Sequence, residues 1–384
     1  ALLAIEGGYK PYAYTPVVID PTASREAAVA AASYTVLSHY LSLHGFNAEL
    51  LMLQGQYDAA LAAIPDSLEK DAGIAIGQAA ADAIIALRAG DGILDLAETY
   101  TVLPSGPGIW EPTMMPDGTV VPPVDPWMAT LQPFLRANPE DYRPGAPYGF
   151  TFDPILSTYV PVELAESVAY KTDLEETRDW GGAVSAFRTD EQTAIANFWT
   201  TNMVIQVNDA YRKVAETNNL NLLDTARLMA MGNMVATDSL VLTFDSKYNY
   251  SFWRPITAIR HTNPDGTYSE TELNTWMPAV MMPSFPEYVT GHSSFMSAQA
   301  EVFTQFLGTD QIQVDLISTA TGTTRHYTTA LDLRTEVGNA RIWGGLHYRS
   351  SNALAEQLGQ QFVLDALVTN GYFAPDATTD TGVH

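Results

Sequence analysis

Three stretches in the C-terminal half hold residue types suited to gripping a tetrahedral oxyanion. They are Lys247-Tyr-Asn-Tyr-Ser-Phe-Trp-Arg254-Pro255, Thr290-Gly291-His292-Ser293 and Arg341-Ile-Trp-Gly-Gly-Leu-His347. Together they supply one Lys, two Arg, two His, a hydroxyl and a glycine amide, in a chain whose formal charge is −25. Cations would neutralise such an anion, and amide and hydroxyl donors would fix its oxygens. Imidazoles would hold or move a proton near pH 7.

Those side chains must be brought together by the elements that carry them. Lys247 and Arg254 are seven residues apart, about two helical turns, so a helix would send both from nearly one face. Pro255 disfavours helical backbone at Arg254, which places that residue where a helix ends. Thr290 and Gly291 precede an apolar-periodic run and therefore sit at a helix N-terminus, with His292 in the first turn. Free backbone N–H groups and the helix dipole favour negative charge there, and glycine admits close approach. In an unbroken helix Arg341 and His347 would diverge by about 120°. Gly344-Gly345 breaks that helix and lets both face one cavity, with His347 opening the last helix. Taken singly, each stretch also has an ordinary reading: a solvated basic face, a Thr-capped helix, or an interhelical turn with a buried histidine. His39 and His44, five apart on an Ala-rich helix, fall on different faces and make a poor zinc pair.

Helical patterning covers most of the chain: Thr22–His44, Ser67–Leu87, Val160–Tyr170, Arg188–Thr200, Val204–Thr217, Asn221–Phe244, His292–Leu307, Thr328–Trp343 and His347–Asn370. Strand-like alternation is scarce, with Gly118–Val121 as a candidate hairpin arm. Pro, Gly and Trp crowd an aperiodic excursion over about 103–157, whose aromatics suit packing onto a helical core. The expectation is an all-α, single-domain helical bundle over 1–384 with long irregular loops. Residues 1–185 form a helical half bearing the excursion, and 186–384 form a helical half carrying the oxyanion site.

Composition narrows the function. With 384 residues and 46 % hydrophobic content the chain can bury a sizeable core. Its acidity argues against nucleic acid or an anionic membrane as partner. There is no cysteine, so disulfides and thiolate metal sites are excluded. No apolar run reaches membrane-spanning length, so no membrane insertion is expected. Export to the medium or periplasm is the expectation, with any signal segment outside the numbered chain. A homodimer is a candidate assembly.

Taken together, the three stretches resemble the signature of the type 2 phosphatidic acid phosphatase superfamily: Lys-x6-Arg-Pro, Pro-Ser-Gly-His and Ser-Arg-x5-His-x3-Asp. Within it the chain most resembles the soluble bacterial vanadium-dependent haloperoxidases. The flanking text carries that closer likeness: Lys247 to Arg260, Phe285-Pro-Glu-Tyr-Val-Thr-Gly-His-Ser293, and Arg341 to Arg349. The likeness is specific over about residues 190–370, and looser upstream at Gly108-Ile-Trp-Glu-Pro112.

The resemblance implies a vanadium haloperoxidase or acid phosphatase-like fold. It also implies a vanadate cofactor, for which phosphate competes. Lys247, Arg254 and Arg341 would neutralise the vanadate oxygens, and Thr290 and the Gly291 amide would add hydrogen bonds. His347 would bind vanadium, and His292 would be the acid–base residue. Hydrogen peroxide and a halide would be substrates, yielding hypohalous acid that a small organic acceptor consumes. On the same scaffold a soluble acid phosphatase would use His347 as nucleophile and His292 as general acid. A non-catalytic phosphate or vanadate binder is the third reading. Phe285, seven before His292, stands at the halide-preference position and leans towards the chloroperoxidase-like group.

Three positions depart from the pattern. Thr290 replaces Ser, Ala340 replaces the Ser before Arg341, and Ser351 replaces the Asp four residues after His347. Loss of that carboxylate is expected to weaken anion retention or shift a histidine pKa, and Glu287 is a candidate to compensate. If the missing charge limits the site, Ser351→Asp should raise activity.

Overall fold

The computed structural model describes residues 1–16, 19–94, 100–112, 118–136, 138–149, 151–153, 158–160, 167–263, 267 and 269–375. They fall into two compact units, one from Ala1–Asp91, Leu220–Ala226 and Leu367–His384, the other from Gly92–Asn219 and Arg227–Ala366.

The first unit holds helices α1 (Leu3–Glu6), α2 (Arg25–Leu43), α3 (Asn47–Ala62) and α4 (Leu68–Leu87). Serine hydroxyls start α2 and α4: Ser24 accepts from Ala27 N and Ser67 from Lys70 N. Each satisfies an amide that the helix itself cannot. The Ala-rich face of α2 packs closely on α4, with Ala28 and Ile76 in a small core alongside Ala4, Ile5 and Ala23. Helix α3, for which no sequence expectation was drawn, buries none of its residues. A buried ion pair, Arg88 Nε to Asp91 Oδ2 at 2.7 Å, follows the end of α4.

The second unit carries every residue of the three motif stretches. Its elements are β1 (Thr151–Asp153), β2 (Thr158–Val160), α5 (Val168–Gly181), α6 (Asp190–Phe198), α7 (Met203–Thr217), α8 (Leu222–Tyr250, from Arg227 onward), α9 (Pro255–His261), α10 (Gly291–Leu307), β3 (Val314–Ser318), β4 (Thr323–Tyr327), α11 (Ala330–Trp343) and α12 (Arg349–Val363). Both strand pairs are antiparallel two-stranded hairpins, in register Thr151 to Val160 and Val314 to Tyr327. No described helix is long and apolar enough to cross a membrane.

Helix α10 is the centre of this unit, buried from Ser293 to Phe303 and packed against α11 and α12. The crossing with α12 is close because Gly359 leaves room: a β-carbon there would lie 2.2 Å from Ser294 O. A second core (Tyr170, Leu174, Tyr250, Phe252, Trp253, Ile259, Tyr288, Val289, Tyr348) joins α5, α9, α12 and the loop before α10. It includes Tyr250, Phe252 and Trp253, which lie between Lys247 and Arg254 in the chain.

The aperiodic excursion packs, as its aromatics suggested. Asp238, fully buried on α8, accepts from Phe134 N at 2.6 Å and Leu135 N at 2.7 Å. Arg143 forks onto Asp245 at 2.7 and 2.8 Å, and Tyr248 Oη donates to Val124 O. Gly108-Ile-Trp110 pairs its backbone with 251–253: Trp110 N donates to Ser251 O at 2.8 Å, and Trp253 N to Gly108 O at 2.9 Å. Loose as its likeness was, this segment clamps the link between Lys247 and Arg254.

Several boundaries differ from expectation. Helix α8 continues past Phe244 to Tyr250, because Ser246, Lys247 and Tyr250 are buried rather than solvated. Of the helix expected at Val160–Tyr170, residues 161–166 lie outside the described set, Val160 closes β2, and α5 begins at Val168. At Gly118–Val121, expected as a hairpin arm, only Val120 forms a bridge. The β3–β4 hairpin was not foreseen, although Val314, Leu316 and Ser318 alternate inward. The last helix starts at Arg349, so His347 lies in the turn before it.

Candidate active site

Each cation is delivered by a helix end. Lys247 stands on the last turn of α8, where the dipole favours positive charge, and it is fully buried. Its Nζ donates to Pro286 O at 3.0 Å and Glu287 O at 2.7 Å. The chain leaves α8 through Ser251, at φ 46°, and reaches Arg254 in extended backbone, the N-cap of α9 with Pro255 at N1. Arg254 is buried and donates from Nε to Phe285 O at 2.8 Å and from Nη1 to Leu346 O at 2.9 Å. Arg341, on the last turn of α11, donates from Nη1 to Trp199 O at 3.0 Å. Phe285 roofs two of them, its ring centroid 5.2 Å from Lys247 Nζ and 4.9 Å from Arg254 Cζ.

The turn after α11 does what the glycine pair suggested. Gly345 takes φ 76°, and a β-carbon there would lie 2.3 Å from Gly181 O at the end of α5. Only glycine fits both the backbone and the space. Beyond it His347, 2 % exposed, lies between opposite charges: Nδ1 is 2.7 Å from Glu287 Oε1, and Nε2 is 3.0 Å from Arg254 Nη1. Its carbonyl accepts from Thr177 Oγ1 at 3.0 Å.

Thr290 is the N-cap of α10, yet its hydroxyl does not cap the helix; it meets Ser351 Oγ at 3.1 Å. The first amides of α10 therefore keep no side-chain acceptor from their own cap. At Gly291 a built β-carbon would touch only Thr243 Cγ2 at 3.6 Å and Lys247 Cε at 4.0 Å, so the backbone borders a small cradle beside the lysine. His292 follows, partly exposed as a residue, but with its Nε2 sealed and without a hydrogen-bond partner.

The electrostatics follow from crowding. Burial pushes Lys247 well below its usual value, and Arg254 and Arg341 push the same way against Glu287. Burial brings Arg254 down to about 10 and, with Arg254 as neighbour, Arg341 down to about 9. Both site histidines are held well below 6.5, by burial first and by the surrounding cations second, so both rings are neutral at pH 7. Glu287, wholly buried, is raised to about 7 by burial despite Lys247, Arg254, the Tyr348 amide and the Ser351 hydroxyl, all of which favour its charged form. Ser351 Oγ also meets the Thr290 hydroxyl, at 3.1 Å.

Among the described residues three cations therefore face one carboxylate, and four buried polar atoms of the site remain without partners: the nitrogens Arg254 Nη2, Arg341 Nε and His292 Nε2, and the oxygen Glu287 Oε2. Buried polar groups in folded proteins are almost always satisfied. A tetrahedral oxyanion would supply both the missing acceptors and the missing negative charge. Among the described residues no group of three or more His, Asp or Glu could hold a metal ion.

Every candidate from the sequence comes to this place: Lys247, Arg254, Thr290, Gly291, His292, Arg341 and His347, with Phe285 above and Ser351 behind Thr290. Sequence reasoning missed the Trp199 carbonyl that holds Arg341 and the Thr177 hydroxyl under His347. Neither leaves a trace in local pattern, since one is backbone and the other lies on a distant helix.

Fold and site together are a mainly helical bundle in which two histidines, three buried cations and one buried acidic side chain meet. The family model for the VCPO second helical-bundle domain matches residues 227–369, the segment holding all three stretches. Vanadium chloroperoxidase of Curvularia inaequalis is 22 % identical over 267 residues, 51 % of this chain and 44 % of the relative. The match thus spans less than half the length of that relative. Among solved structures, a bacterial vanadium-dependent iodoperoxidase superposes with a TM-score of 0.74 at 21 % identity, covering 96 % of this chain and 87 % of the other. A holo-type bacterial vanadium-dependent chloroperoxidase superposes with a TM-score of 0.66 at 18 % identity, covering 94 % and 86 %. The chain has the fold of the vanadium haloperoxidases, and the likeness read from its motifs is a likeness in architecture as well.

Proposed function

We propose that this protein is a vanadate-dependent haloperoxidase that uses hydrogen peroxide to oxidise a halide to hypohalous acid, which a small organic acceptor consumes. One observation carries the reading: Lys247, Arg254 and Arg341 are buried near His347, with Arg254 Nη2 and Arg341 Nε left unpartnered. Vanadate, when bound, would supply the centre that activates peroxide towards the halide. Lys247, Arg254 and Arg341 would hold its oxygens and withdraw electron density, as preorganised charges in a dry site do at little reorganisation cost. Thr290 Oγ1 and the Gly291 amide would complete the oxygen contacts. His347 Nε2 would be the vanadium ligand.

His292 is neutral in the free protein because of burial and its cationic neighbours. An anion would offset those cations and let the ring accept and return a proton during turnover. Phe285 would keep water from the two cations beneath it and line the halide approach.

The test is bromination of a phenolic dye by purified protein with bromide and hydrogen peroxide, with and without orthovanadate. Turnover that requires vanadate and falls with added phosphate is expected. Absence of turnover, with phosphate-ester hydrolysis by the same sample, would replace this reading with an acid phosphatase using His347 as nucleophile. Absence of both, with oxyanion binding retained, would leave a non-catalytic binder.

A further inference from the structure

The pattern's carboxylate four residues after His347 is missing, yet His347 has a carboxylate. It comes from elsewhere in the chain. Glu287, sixty residues upstream in the loop before α10, places Oε1 2.7 Å from His347 Nδ1. The same oxygen accepts from Tyr348 N at 3.2 Å, so one carboxylate grips both the ring and the backbone next to it. Glu287 is fully buried, and its loop is fixed in turn by Glu287 N donating to Phe252 O at 2.9 Å and by Lys247 Nζ on the Glu287 carbonyl.

The ring's proton follows from the donors around it. A guanidinium has no acceptor, so Arg254 Nη1 at 3.0 Å from Nε2 requires the lone pair on Nε2. The remaining proton is on Nδ1 and is donated to Glu287. The nitrogen facing Arg254 is therefore the one that carries the electron pair.

We propose that Glu287 is the positioning residue for His347, doing from the α10 loop what the pattern assigns to position 351. Ser351 is thereby free for another task, and it holds the Thr290 hydroxyl at 3.1 Å. This deepens the haloperoxidase reading and rests on it for the identity of the anion. The geometry of the ring can be tested without any anion. A carboxylate restored at 351 would be buried beside Glu287, and like charges so placed oppose each other. Ser351→Asp alone should therefore weaken the site, contrary to what the missing motif residue suggests.

The test is the 15N spectrum of the vanadate-free protein with labelled histidine, together with vanadate affinity by titration calorimetry. Wild type should show His347 protonated at Nδ1 alone. Glu287→Ala should keep the Nδ1–H tautomer that Arg254 enforces but move the Nδ1 resonance as its hydrogen bond is lost, with about 10- to 100-fold weaker vanadate binding, the usual cost of removing a carboxylate behind a ligating histidine. Glu287→Gln, which keeps the shape and an acceptor oxygen, covers the case in which the alanine variant does not fold; it should show a smaller movement of the Nδ1 resonance and a smaller loss of affinity. The double change Glu287→Ala with Ser351→Asp should recover at least tenfold of that loss. An unmoved Nδ1 resonance and unchanged affinity in Glu287→Ala or Glu287→Gln would overturn the proposal. Wild type that shows the Nδ1–H tautomer but binds no vanadate would overturn the haloperoxidase reading and leave the positioning role standing.

Discussion

Arg254 Nη1 and His347 Nε2 lie 3.0 Å apart, so the guanidinium occupies the lone pair that an incoming anion's central atom would need. The pair stays together because Arg254 is also held by Phe285 O and Leu346 O, one on each side of the site. Binding an oxyanion would exchange this contact for one through oxygen, without moving Arg254 far.

Arg254→Ala should consequently weaken orthovanadate and phosphate binding alike. A charge-assisted hydrogen bond contributes about 1.5–3 kcal/mol, so a loss of about 10- to 100-fold in each Kd is expected by calorimetry. Equal affinities in variant and wild type would show that Arg254 only shields His347.

His347→Ala separates the two anions. Vanadate, which gains a bond to the ring, should lose at least about a hundredfold, ~2.7 kcal/mol, while phosphate, held by charge, should lose far less. Unchanged vanadate affinity in a folded variant would remove His347 from the ligand set.

Gly291 offers a test of the cradle itself. A β-carbon there meets only Thr243 Cγ2 at 3.6 Å and Lys247 Cε at 4.0 Å, ordinary contacts, so Gly291→Ala should fold and melt as wild type does. Its methyl would intrude where the anion meets the first amides of α10, and vanadate affinity should drop by about tenfold. A lower melting temperature with intact affinity would mean that the glycine serves packing instead.

Asp238 tests how the excursion is held. It accepts from the amides of Phe134 and Leu135 at 2.6 and 2.7 Å inside the second unit. Asp238→Ala should cost about 2–4 kcal/mol in urea denaturation, with Asp238→Asn intermediate because one acceptor oxygen survives. Wild-type stability in both variants would show that the loop is anchored elsewhere.

Stability of the anion-free protein should depend on pH through Glu287. Its carboxyl sits at about 7 when folded against an ordinary value of 4.5, so between these values the native state binds more protons than the unfolded chain. The favourable contribution is complete below 4.5 and is lost as pH rises through 7, by up to about 3 kcal/mol. The site histidines act in the opposite sense, costing stability as pH falls below 6.5 because the unfolded chain protonates first. Glu287→Gln should delete only the first of these trends; parallel wild-type and variant profiles from pH 5 to 8 would refute it.

The motifs were legible because their chemistry depends on residue type and on short spacing. Pro255 marks a helix boundary at Arg254, although it proved to be the start of α9 and not the end of α8; Gly291 and His292 open a helix that its apolar period announces, and Gly344-Gly345 signals the break before His347. Glu287 was visible only as an acidic residue near a motif, with no means of telling which histidine it met. The β3–β4 hairpin and α3 were missed for a related reason: the first depends on pairing across a turn, and the second exposes both faces and so carries no stripe.

What the sequence determined by itself was the set of charges, the helices that end beside them and the class of ligand those charges suit. The tertiary structure alone decided which carboxylate reaches His347, which ring nitrogen keeps its lone pair, and that Ser351 serves Thr290. Helix type and termini are set within a few residues by propensity, capping and hydrophobic period. Partners sixty residues apart are chosen by how α10, α11 and α12 pack, and no local pattern records that choice.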